Sequence, residues 1–469
     1  MRASPATFPP GYGEKNMRRF RIAMQGSRLR EEPNSLAEHL GSHSVWRDRV
    51  DVAIVGGGIF GVSLALFLAR GGAKVAVFEK GVVAGEASGR AVGFVESLMT
   101  DPRKQPALHH TKTIWKGLSD LVGEDTSFRS GMAVVFSRAK EMEVARQWRA
   151  LSDLENDARL LDPTQMRRLI PEISPAFDIA GGIYSPTDGY ADPRRATPAI
   201  ARGAVRAGAL IHENCAVRRV LVEDRRIAGV ETERGMVKAE RVVLAGGIWN
   251  QILCAHLDIA LPQLYGFATA TEIRAPELPF SLAGVVNDCC FRPTPWGSHV
   301  VGPHLSISPL TPLHLRHGWR FRKALAALGA HVDLSPAPEH FAFIAKALRW
   351  RRKGESPFEK CRILEPEYRR YSEWYAIERI KTPFGISNVE LLRSWAGALA
   401  LTPDNMPILD DIEQIGGLSI GTGMYYGFTF SPGMADCWAA QLLGRPLPFD
   451  RSPFALSRFS AGKEPDFAW

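Results

Sequence analysis

Three glycines and one glutamate have the types and the spacing of a site that binds two linked nucleotides. Gly56, Gly58 and Gly61 follow the apolar residues 51–55, and Glu79 ends a second apolar run. Gly56 can adopt the backbone angles of a tight turn, and Gly58 has no Cβ to keep a pyrophosphate away from the backbone. The carboxylate of Glu79 can accept hydrogen bonds from ribose hydroxyls. Because an acid at this place disfavours a 2′-phosphate, the pattern predicts FAD or NAD and not NADP.

The elements that must position these residues are visible in the hydropathy. Residues 51–55 and the run before Glu79 are short and apolar, which is typical of buried parallel strands. The segment from Ile59 and Phe60 onward is an apolar helix whose first turn points unpaired N–H groups and a positive dipole end at phosphates. Gly61 lets this helix pack closely on the preceding strand. Strand, glycine turn, helix and strand together predict a Rossmann-like α/β unit.

A second apolar segment that runs into glycines distinguishes between the two remaining cofactors. Residues 242–245 read Val-Val-Leu-Ala and continue into Gly246 and Gly247. A strand that ends in small residues lets the backbone pass next to a cofactor. A plain NAD dehydrogenase has no need for this second approach, so the sequence favours FAD.

The composition is that of a globular protein with two or three domains. The 469 residues are 45% apolar and 23% charged, with a net charge of +8. No apolar run reaches the roughly 18 residues that span a membrane, and we expect no secretion signal. The six cysteines include no C-x-x-C pair, as expected of a reduced, cytoplasmic protein. Neither a metal site nor a nucleic-acid partner is predicted, because ligand spacing and a nucleic-acid-binding fold are both missing from the sequence pattern.

Further along, the chain resembles the D-amino-acid-oxidase-like flavoproteins, which include glycine, sarcosine and L-amino acid oxidases and deaminases. Residues 87–91, Ala-Ser-Gly-Arg-Ala, are similar to the loop beside the flavin in that family. Residues 393–408, 418–433 and 452–459 resemble its C-terminal signature. A basic and aromatic insertion at residues 313–390 extends the resemblance to the bacterial, membrane-associated L-amino acid deaminases.

The resemblance implies an α/β fold with a Rossmann-like FAD-binding domain, an α+β substrate domain on an antiparallel sheet, and an inserted helical module. The expected boundaries are 1–48 for a basic, flexible tail, 49–100, 180–260 and 391–469 for the FAD-binding domain, 101–179 and 261–312 for the substrate domain, and 313–390 for the inserted basic and aromatic module. Within the substrate domain, residues 105–175 look largely helical, whereas residues 262–310 alternate as antiparallel strands do.

The cofactor contacts combine the glycine pattern with positions implied by the resemblance. The residues expected to bind FAD are Gly56, Gly58, Ile59, Phe60, Gly61, Glu79, Lys80, Ala87, Ser88, Gly89, Arg90, Ala91, Val217, Ala245, Gly246, Trp249, Gly397, Gly423, Tyr426, Gly427, Phe428 and Thr429. A helix that begins near Gly427 would direct its N–H groups at the pyrimidine edge of the flavin. Some members of the family attach FAD through a cysteine that matches Gly397 here, so we expect non-covalent FAD.

Four residues at the substrate end depart from the resembled family, and a fifth could replace the missing anchor. The arginine that grips a substrate carboxylate there is matched by His304, which binds an acid weakly or only when protonated. Phe94 replaces a glutamine, and Tyr425 and Tyr426 replace an aliphatic residue and a tryptophan. Arg292 is either a substitute anchor or a surface residue. The substrate is then a free amino acid with a new anchor, a decorated, esterified or carrier-bound amino acid, or an amine.

The chemistry implied by the resemblance is oxidation of a carbon–nitrogen bond. A hydride passes to the flavin, and the resulting imine is hydrolysed to a keto acid or aldehyde. Oxygen is the expected electron acceptor. One alternative is a dehydrogenase that passes electrons to a membrane quinone, with the basic module in peripheral membrane contact. A solvated helical face is the other interpretation of those charges, and a flavin-binding subunit without turnover is the remaining alternative for the protein.

Overall fold

The computed structural model describes most of the chain after residue 44. The described residues are 22–23, 45–151, 158–275, 277–278, 281–286, 288–303, 306–328, 332–351, 354–368, 370–460 and 466–467. The predicted flexible tail, residues 1–48, therefore lies largely outside the described residues. The two tail residues at 22–23 form a short strand that pairs antiparallel with residues 365–366 of the inserted module.

The strands of the described residues, in chain order, are β1 (Ile22–Ala23), β2 (Arg49–Val55), β3 (Val75–Phe78), β4 (Phe94–Val95), β5 (Arg129–Phe136), β6 (Arg159–Leu161), β7 (Gly181–Tyr190), β8 (Leu210–His212), β9 (Val217–Glu223), β10 (Arg226–Thr232), β11 (Gly235–Leu244), β12 (Leu264–Arg274), β13 (Ala283–Val286), β14 (Cys289–Pro293), β15 (His299–Pro303), β16 (Ser306–Pro309), β17 (Val332–Ser335), β18 (Glu365–Pro366), β19 (Glu390–Leu401), β20 (Ile408–Asp411) and β21 (Leu418–Thr422).

The α-helices are α1 (Ile59–Arg70), α2 (Ala87–Arg90), α3 (Gln105–Val122), α4 (Met142–Leu151), α5 (Pro163–Leu169), α6 (Pro193–Arg206), α7 (Asn250–Ala255), α8 (Pro312–His317), α9 (Arg322–Leu328), α10 (Pro338–Leu348), α11 (Pro357–Lys360), α12 (Arg370–Phe384) and α13 (Gly427–Leu442).

The smaller of the two main sheets contains the predicted nucleotide-binding unit. Its order is β20-β21-β11-β2-β3-β8, and the pairs formed among β21, β11, β2, β3 and β8 are parallel. Helix α1 connects β2 to β3, and α6 and α13 pack against α1. Because α1 has apolar side chains on all sides, it is buried from Ile59 to Leu66 without a break. The Rossmann-like α/β prediction is confirmed.

The larger sheet has eleven strands in the order β17-β16-β12-β15-β14-β13-β5-β7-β4, with β19 beside β12 and β6 beside β7. Most of its pairs are antiparallel, as predicted for residues 262–310. Two pairs, β13 with β5 and β16 with β17, are parallel, so the sheet is mixed. The long strands β12 and β19 lie side by side over their whole length, and β12 also pairs with β15 and β16.

The expectation that residues 105–175 are largely helical is wrong in one respect. Residues 129–136 form strand β5, which pairs with both β7 and β13. Its centre, Met-Ala-Val-Val-Phe, is a short apolar run of the kind that periodicity does not separate from a buried helix. In addition, β4, β7 and β19 belong to the larger sheet, although the expected boundaries placed them with the FAD-binding domain. The division into domains stays a prediction.

The inserted segment between β16 and β19 is mainly helical, with α8 to α12 and two short strands. Part of this module, around Phe358 and Leu364, belongs to the same buried apolar cluster as the smaller sheet. Among the described residues, none of the helices combines the length and the hydropathy that a membrane crossing requires.

Candidate active site

One elongated cavity contains most of the residues that the sequence points to. It begins at the glycine turn after β2, runs along residues 268–270 of β12 and 397–400 of β19, and reaches the loop before α13. The predicted cofactor residues that line it are Gly56, Gly58, Ile59, Phe60, Glu79, Lys80, Ala87, Ser88, Arg90, Ala91, Val217, Ala245, Gly246, Trp249, Gly397, Gly423, Gly427 and Phe428. Residues that are up to about 370 positions apart in sequence thus share one cavity.

The glycine turn has the close backbone approaches that the motif predicts. Gly56 has φ +117°, and a Cβ on it would lie 2.6 Å from the Ala245 carbonyl oxygen. A Cβ on Gly61 would lie 2.1 Å from the Gly56 carbonyl oxygen. Gly61 does not line the cavity; its lack of a side chain allows α1 to start directly behind the turn. Gly58 precedes α1 with no side-chain cap, so the positive end of the helix faces the cavity.

The Glu79 carboxylate joins the glycine turn to the segment that follows β3. One carboxylate oxygen accepts from the Gly57 N–H at 2.7 Å and the other from the Gly81 N–H at 2.7 Å. Burial raises the pKa of Glu79, while Lys80 and the two backbone donors oppose that shift. Each carboxylate oxygen keeps a lone pair that can accept from a ribose hydroxyl. The residues present therefore fit the adenosine half of FAD.

Residues 87–91, expected to be a loop, contain the short helix α2 and close on the same turn. The Ser88 hydroxyl accepts from the Ile59 N–H at 2.9 Å, and a Cβ on Gly58 would lie 3.0 Å from that hydroxyl. Gly89 does not line the cavity, because its Cβ position is 2.2 Å from the Ala84 carbonyl oxygen. The small residues of this loop are needed for backbone packing as well as for open space.

The Lys80 ammonium is directed away from the cavity and toward the inserted module. It donates to Glu86 at 2.6 Å and to the carbonyls of Cys361 and Arg362 at 2.9 and 2.7 Å. Glu86 also accepts from the Trp249 indole at 2.7 Å and from the Leu364 N–H at 2.8 Å. We call residues 361–366 the strap, since these bonds tie that segment over the adenosine end. Glu86 is not among the cofactor residues that the sequence predicts.

Arg90 and Gly397 meet in the middle of the cavity. A Cβ on Gly397 would lie 3.0 Å from the Arg90 Cβ. The guanidinium donates to the Gly85 and Ala396 carbonyls and to Glu365 of the strap, at 3.2, 3.4 and 3.3 Å. Arg90 therefore joins the loop, the central strand β19 and the strap.

Of the three aromatic residues expected at the other end, Tyr425 lines the cavity, whereas Tyr426 and Phe94 do not. The rings of Tyr425 and Tyr426 are edge-to-face with centroids 4.8 Å apart, and Tyr425 lines the cavity. Burial raises the pKa of Tyr425 to about 12. Phe94 lies on β4 opposite Tyr190. Thr429 does not line the cavity, because its hydroxyl donates to the Phe94 carbonyl at 3.0 Å and thereby joins α13 to β4.

Arg292 is engaged by the protein itself. Its side chain is 1% exposed, so the surface interpretation is wrong. Its guanidinium pairs with Asp192 at 3.1 Å and donates to the carbonyls of Val92 and Pro293. Asp192 also caps α6 by accepting from the Arg194 N–H at 3.0 Å. These contacts do not support the prediction that Arg292 anchors a substrate carboxylate.

His304 and the cysteines are the remaining residues that the sequence analysis considers. His304 lies outside the described residues, so its predicted role stays a prediction. All six cysteines are free and buried, and none of them lines the cavity. The sequence analysis missed Phe358, a cavity residue supplied by the module, and Glu96, whose charge contributes to the raised pKa of Tyr425. Glu96 carried one signal: it is a single acid inside the otherwise apolar and small residues 91–95 and 97–99.

Comparison with known proteins agrees with this cavity. Residues 51–442 match the family described as FAD dependent oxidoreductase. L-amino acid deaminase from Proteus myxofaciens, a solved structure, superposes with a TM-score of 0.86 at 26% identity, covering 94% of this chain and 99% of that one. The sarcosine oxidase subunit beta of Arthrobacter sp is 26% identical over 88% of this chain and 91% of its own length.

Other curated relatives are much longer than the segment that matches them. The match to 4-methylaminobutanoate oxidase (formaldehyde-forming) of Paenarthrobacter nicotinovorans has 29% identity and covers 50% of this chain but 29% of that protein. The aligned half of this chain therefore covers less than a third of the length of that relative.

Proposed function

The chain belongs to the family of FAD-dependent oxidoreductases, and we propose that it oxidises the carbon–nitrogen bond of an amino acid or related amine, with non-covalent FAD and with O2 as the electron acceptor. The observation that carries the proposal is the single cavity that joins the glycine turn and Glu79 to the aromatic wall at Tyr425. Deaminases and amine oxidases among the similar proteins support the same class of substrate.

The chain's own residues would hold FAD at identifiable places. The first turn of α1 and Gly58 would receive the pyrophosphate, and Glu79 the adenosine ribose. The first turn of α13, from Gly427, would face the flavin ring. When bound, FAD supplies the oxidant, which takes a hydride from the carbon next to the nitrogen. Loss of the hydride would convert the substrate to an imine. Water would then hydrolyse the imine to a carbonyl compound and release the amine or ammonia. O2 would accept the two electrons, together with two protons, and be released as hydrogen peroxide.

The residues at the substrate end would orient the substrate and keep water out. Tyr425, whose ring packs edge-to-face on Tyr426, would offer an apolar surface to the substrate. Close positioning of a reacting carbon is the main contribution that a protein makes to this kind of chemistry. Non-covalent FAD is supported by Gly397 at the position of the attaching cysteine and by the lack of any cysteine along the cavity, all six being described.

Two measurements test this proposal. Acid precipitation should leave the flavin in the supernatant, and the intact mass of the precipitated protein should show no adduct. The purified flavoprotein is then incubated with L- and D-amino acids, N-methylated amino acids, amino acid esters and simple amines in air. We expect equal amounts of hydrogen peroxide and carbonyl product from at least one of these classes. Product without peroxide would contradict O2 as the acceptor.

A dehydrogenase that passes its electrons to a membrane quinone is the second candidate. It is favoured by an exposed apolar and basic surface on the module, where Leu315 is 82% and Trp319 is 60% exposed and Arg316, Arg320 and Arg322 lie nearby in the chain. Tryptophan and arginine on one surface suit the interface of an anionic bilayer. Flotation with anionic vesicles, together with product formation that requires added quinone, would favour this candidate over O2.

A further inference from the structure

The strap, residues 361–366, lies behind one wall of the cavity. Most residues of the segment 80–91 line the cavity, whereas no residue of the strap, which is fully described, does so. A Cβ on Gly81 would lie 2.6 Å from the Arg362 carbonyl oxygen, so the two backbones are in direct contact. Segment 80–91 therefore has the cavity on one side and the strap on another. The strap can act on a bound cofactor only through the residues that it contacts.

The start of the strap is joined to this segment by bonds in both directions. The Lys80 ammonium donates to the carbonyls of Cys361 and Arg362 at 2.9 and 2.7 Å, and the Arg362 guanidinium donates to the Lys80 carbonyl at 2.7 Å. The same guanidinium makes a two-pronged bond to Glu233, at 2.8 and 2.6 Å. Glu233 in turn accepts from the Ala216 N–H at 2.7 Å. Arg362 therefore ties the strap both to the cavity wall and to the residue that precedes β9.

The rest of the strap is joined to the same segment through Glu86 and Arg90. Glu86 accepts from the Leu364 N–H at 2.8 Å and from the indole of Trp249, a cavity residue, at 2.7 Å. Arg90 donates to Glu365 at 3.3 Å, and the side chains of this pair are only 3% and 15% exposed. Water competes little with bonds between charged groups that are shielded in this way, so they are stronger than ion pairs at the surface.

We propose that Arg362 is a positioning residue for the cofactor: it latches the strap against segment 80–91, and FAD enters or leaves the cavity when this latch opens. All the bonds of the latch join protein groups to one another, so the strap closes by the same contacts with or without a ligand. A protein segment that must open before a ligand passes sets the rate of passage. The inference rests on the non-covalent FAD of the proposed function and not on its substrate.

A latch has a kinetic signature that a direct contact with the cofactor lacks. Opening admits arriving FAD and releases bound FAD by the same route, so a weaker latch raises the association and dissociation rate constants by similar factors. The Kd is the ratio of these two constants and then changes little. Loss of a direct contact instead raises mainly the dissociation rate constant, and the Kd rises with it.

The test compares FAD exchange in the wild-type protein and in Arg362→Met, which removes the bonds to the Lys80 carbonyl and to Glu233. The FAD-loaded protein is mixed with an excess of 13C-labelled FAD, and mass spectrometry of the retained flavin gives the dissociation rate constant. Flavin fluorescence after FAD is added to protein stripped of its flavin gives the association rate constant. We expect both constants to rise at least about tenfold, with the Kd within about threefold of the wild-type value.

Arg362→Lys provides the same test in a milder form. It keeps a positive charge beside Glu233 but loses the two-pronged geometry of the guanidinium. Both rate constants should therefore rise by about threefold, between the wild-type protein and Arg362→Met. Because the charge is kept, this variant decides the question even where Arg362→Met does not fold.

The matched control is Arg218→Met. Arg218 also makes a two-pronged bond between the smaller sheet and the module, to Glu359 at 3.1 and 2.7 Å, and it is 34% exposed against 31% for Arg362. Its partner lies on α11 and not on the strap, so both rate constants should stay within about twofold of the wild-type values.

Three results would overturn the proposal. One is wild-type exchange in both Arg362 variants. Another is a faster dissociation with no faster association, which would indicate loss of affinity instead of an opened latch. The third is an equal acceleration in Arg218→Met, which would assign FAD retention to the module as a whole. A flavin that stays with the acid-precipitated protein is a separate result, since it would contradict the non-covalent FAD of the proposed function.

Discussion

The two ends of the cavity differ in how their charges are satisfied. At the adenosine end, Glu79, Glu86 and Lys80 are all bonded within the chain, and the strap covers them. At the other end, the half-buried Glu96 makes no side-chain hydrogen bond or ion pair with any described residue, and its charge contributes to the raised pKa of Tyr426. In the first region the protein itself satisfies the charged groups. In the second region one acid is left without such internal pairing.

The largest expected effect is on the glycine turn, through Gly61→Ala. The new Cβ would lie 2.1 Å from the Gly56 carbonyl oxygen, so the turn or α1 must move, at a cost of about 3 kcal/mol or more. We expect loss of bound flavin and a lower Tm. The matched control is Gly117→Ala, also in a helix, where a Cβ meets nothing within 4 Å; it should raise stability by about 1 kcal/mol. Full flavin content in Gly61→Ala would contradict the role assigned to the turn.

The next effect is expected from Glu79→Ala. It leaves the Gly57 and Gly81 N–H groups without their acceptor, which costs about 2–4 kcal/mol, and it removes the ribose acceptor. Denaturant unfolding and flavin content after gel filtration measure the two losses. Glu240→Ala, whose acid is exposed and 3.6 Å from Arg49, should change stability by less than about 0.5 kcal/mol. If Glu79→Ala and Glu240→Ala lowered the free energy of unfolding equally, the two backbone bonds to Glu79 would not contribute to stability as claimed.

A smaller and more local effect is expected from Lys80→Met. The substitution keeps the side-chain length but removes the bonds to Glu86 and to the strap carbonyls, with a cost of about 2 kcal/mol. Hydrogen exchange should become faster at residues 361–366 and stay unchanged in α12. Lys381→Met, which breaks only a partly exposed pair with Glu378, serves as the control. Unchanged exchange in the strap would mean that other contacts hold it.

The smallest effects concern pH, and they have opposite signs at Glu96 and at Glu359 of the inserted module. The pKa of Glu96 is raised to about 8, so the folded state loses stability as pH rises from about 4.5 through 8. Glu96→Gln avoids this loss, and its Tm should exceed that of the wild-type protein increasingly over that range. The pKa of Glu359 is held at about 2, against desolvation, by bonds from Arg218 and Ser356. Glu359→Gln should therefore lower the Tm at neutral pH, and the difference should shrink below about pH 4.5. If the Tm differences of Glu96→Gln and Glu359→Gln from the wild-type protein had the same sign, the contrast between the two acids would be contradicted.

The adenosine end could be predicted from sequence because its information is local. Gly56, Gly58, Gly61 and Glu79 lie within one strand–helix–strand unit, where residue spacing fixes geometry. Strand β5 was missed because a short apolar run has no period that separates strand from buried helix. The mixed character of the larger sheet depends on β13 pairing with β5, across about 150 residues of chain.

The substrate end could be predicted only in part because its partners are distant in sequence. Tyr425 and Tyr426 were identified by their positions in a motif, but their neighbour Glu96 is more than 300 residues away. Arg292 was expected to be an anchor or a surface group, and only the fold brings Asp192 to it at 3.1 Å. Which charges are cancelled by the protein and which remain for a ligand is a property of the assembled sheets and not of any single motif.

The most direct test of the account is anaerobic bleaching of the bound flavin by matched pairs of compounds, each consisting of an amine and the amino acid that carries the same side chain. The account predicts that at least one amine or amino acid bleaches the flavin, because the cavity would hold the carbon next to the nitrogen against the flavin ring. A flavoprotein that stays oxidised with every amine and amino acid would contradict the central claim that this cavity oxidises carbon–nitrogen bonds.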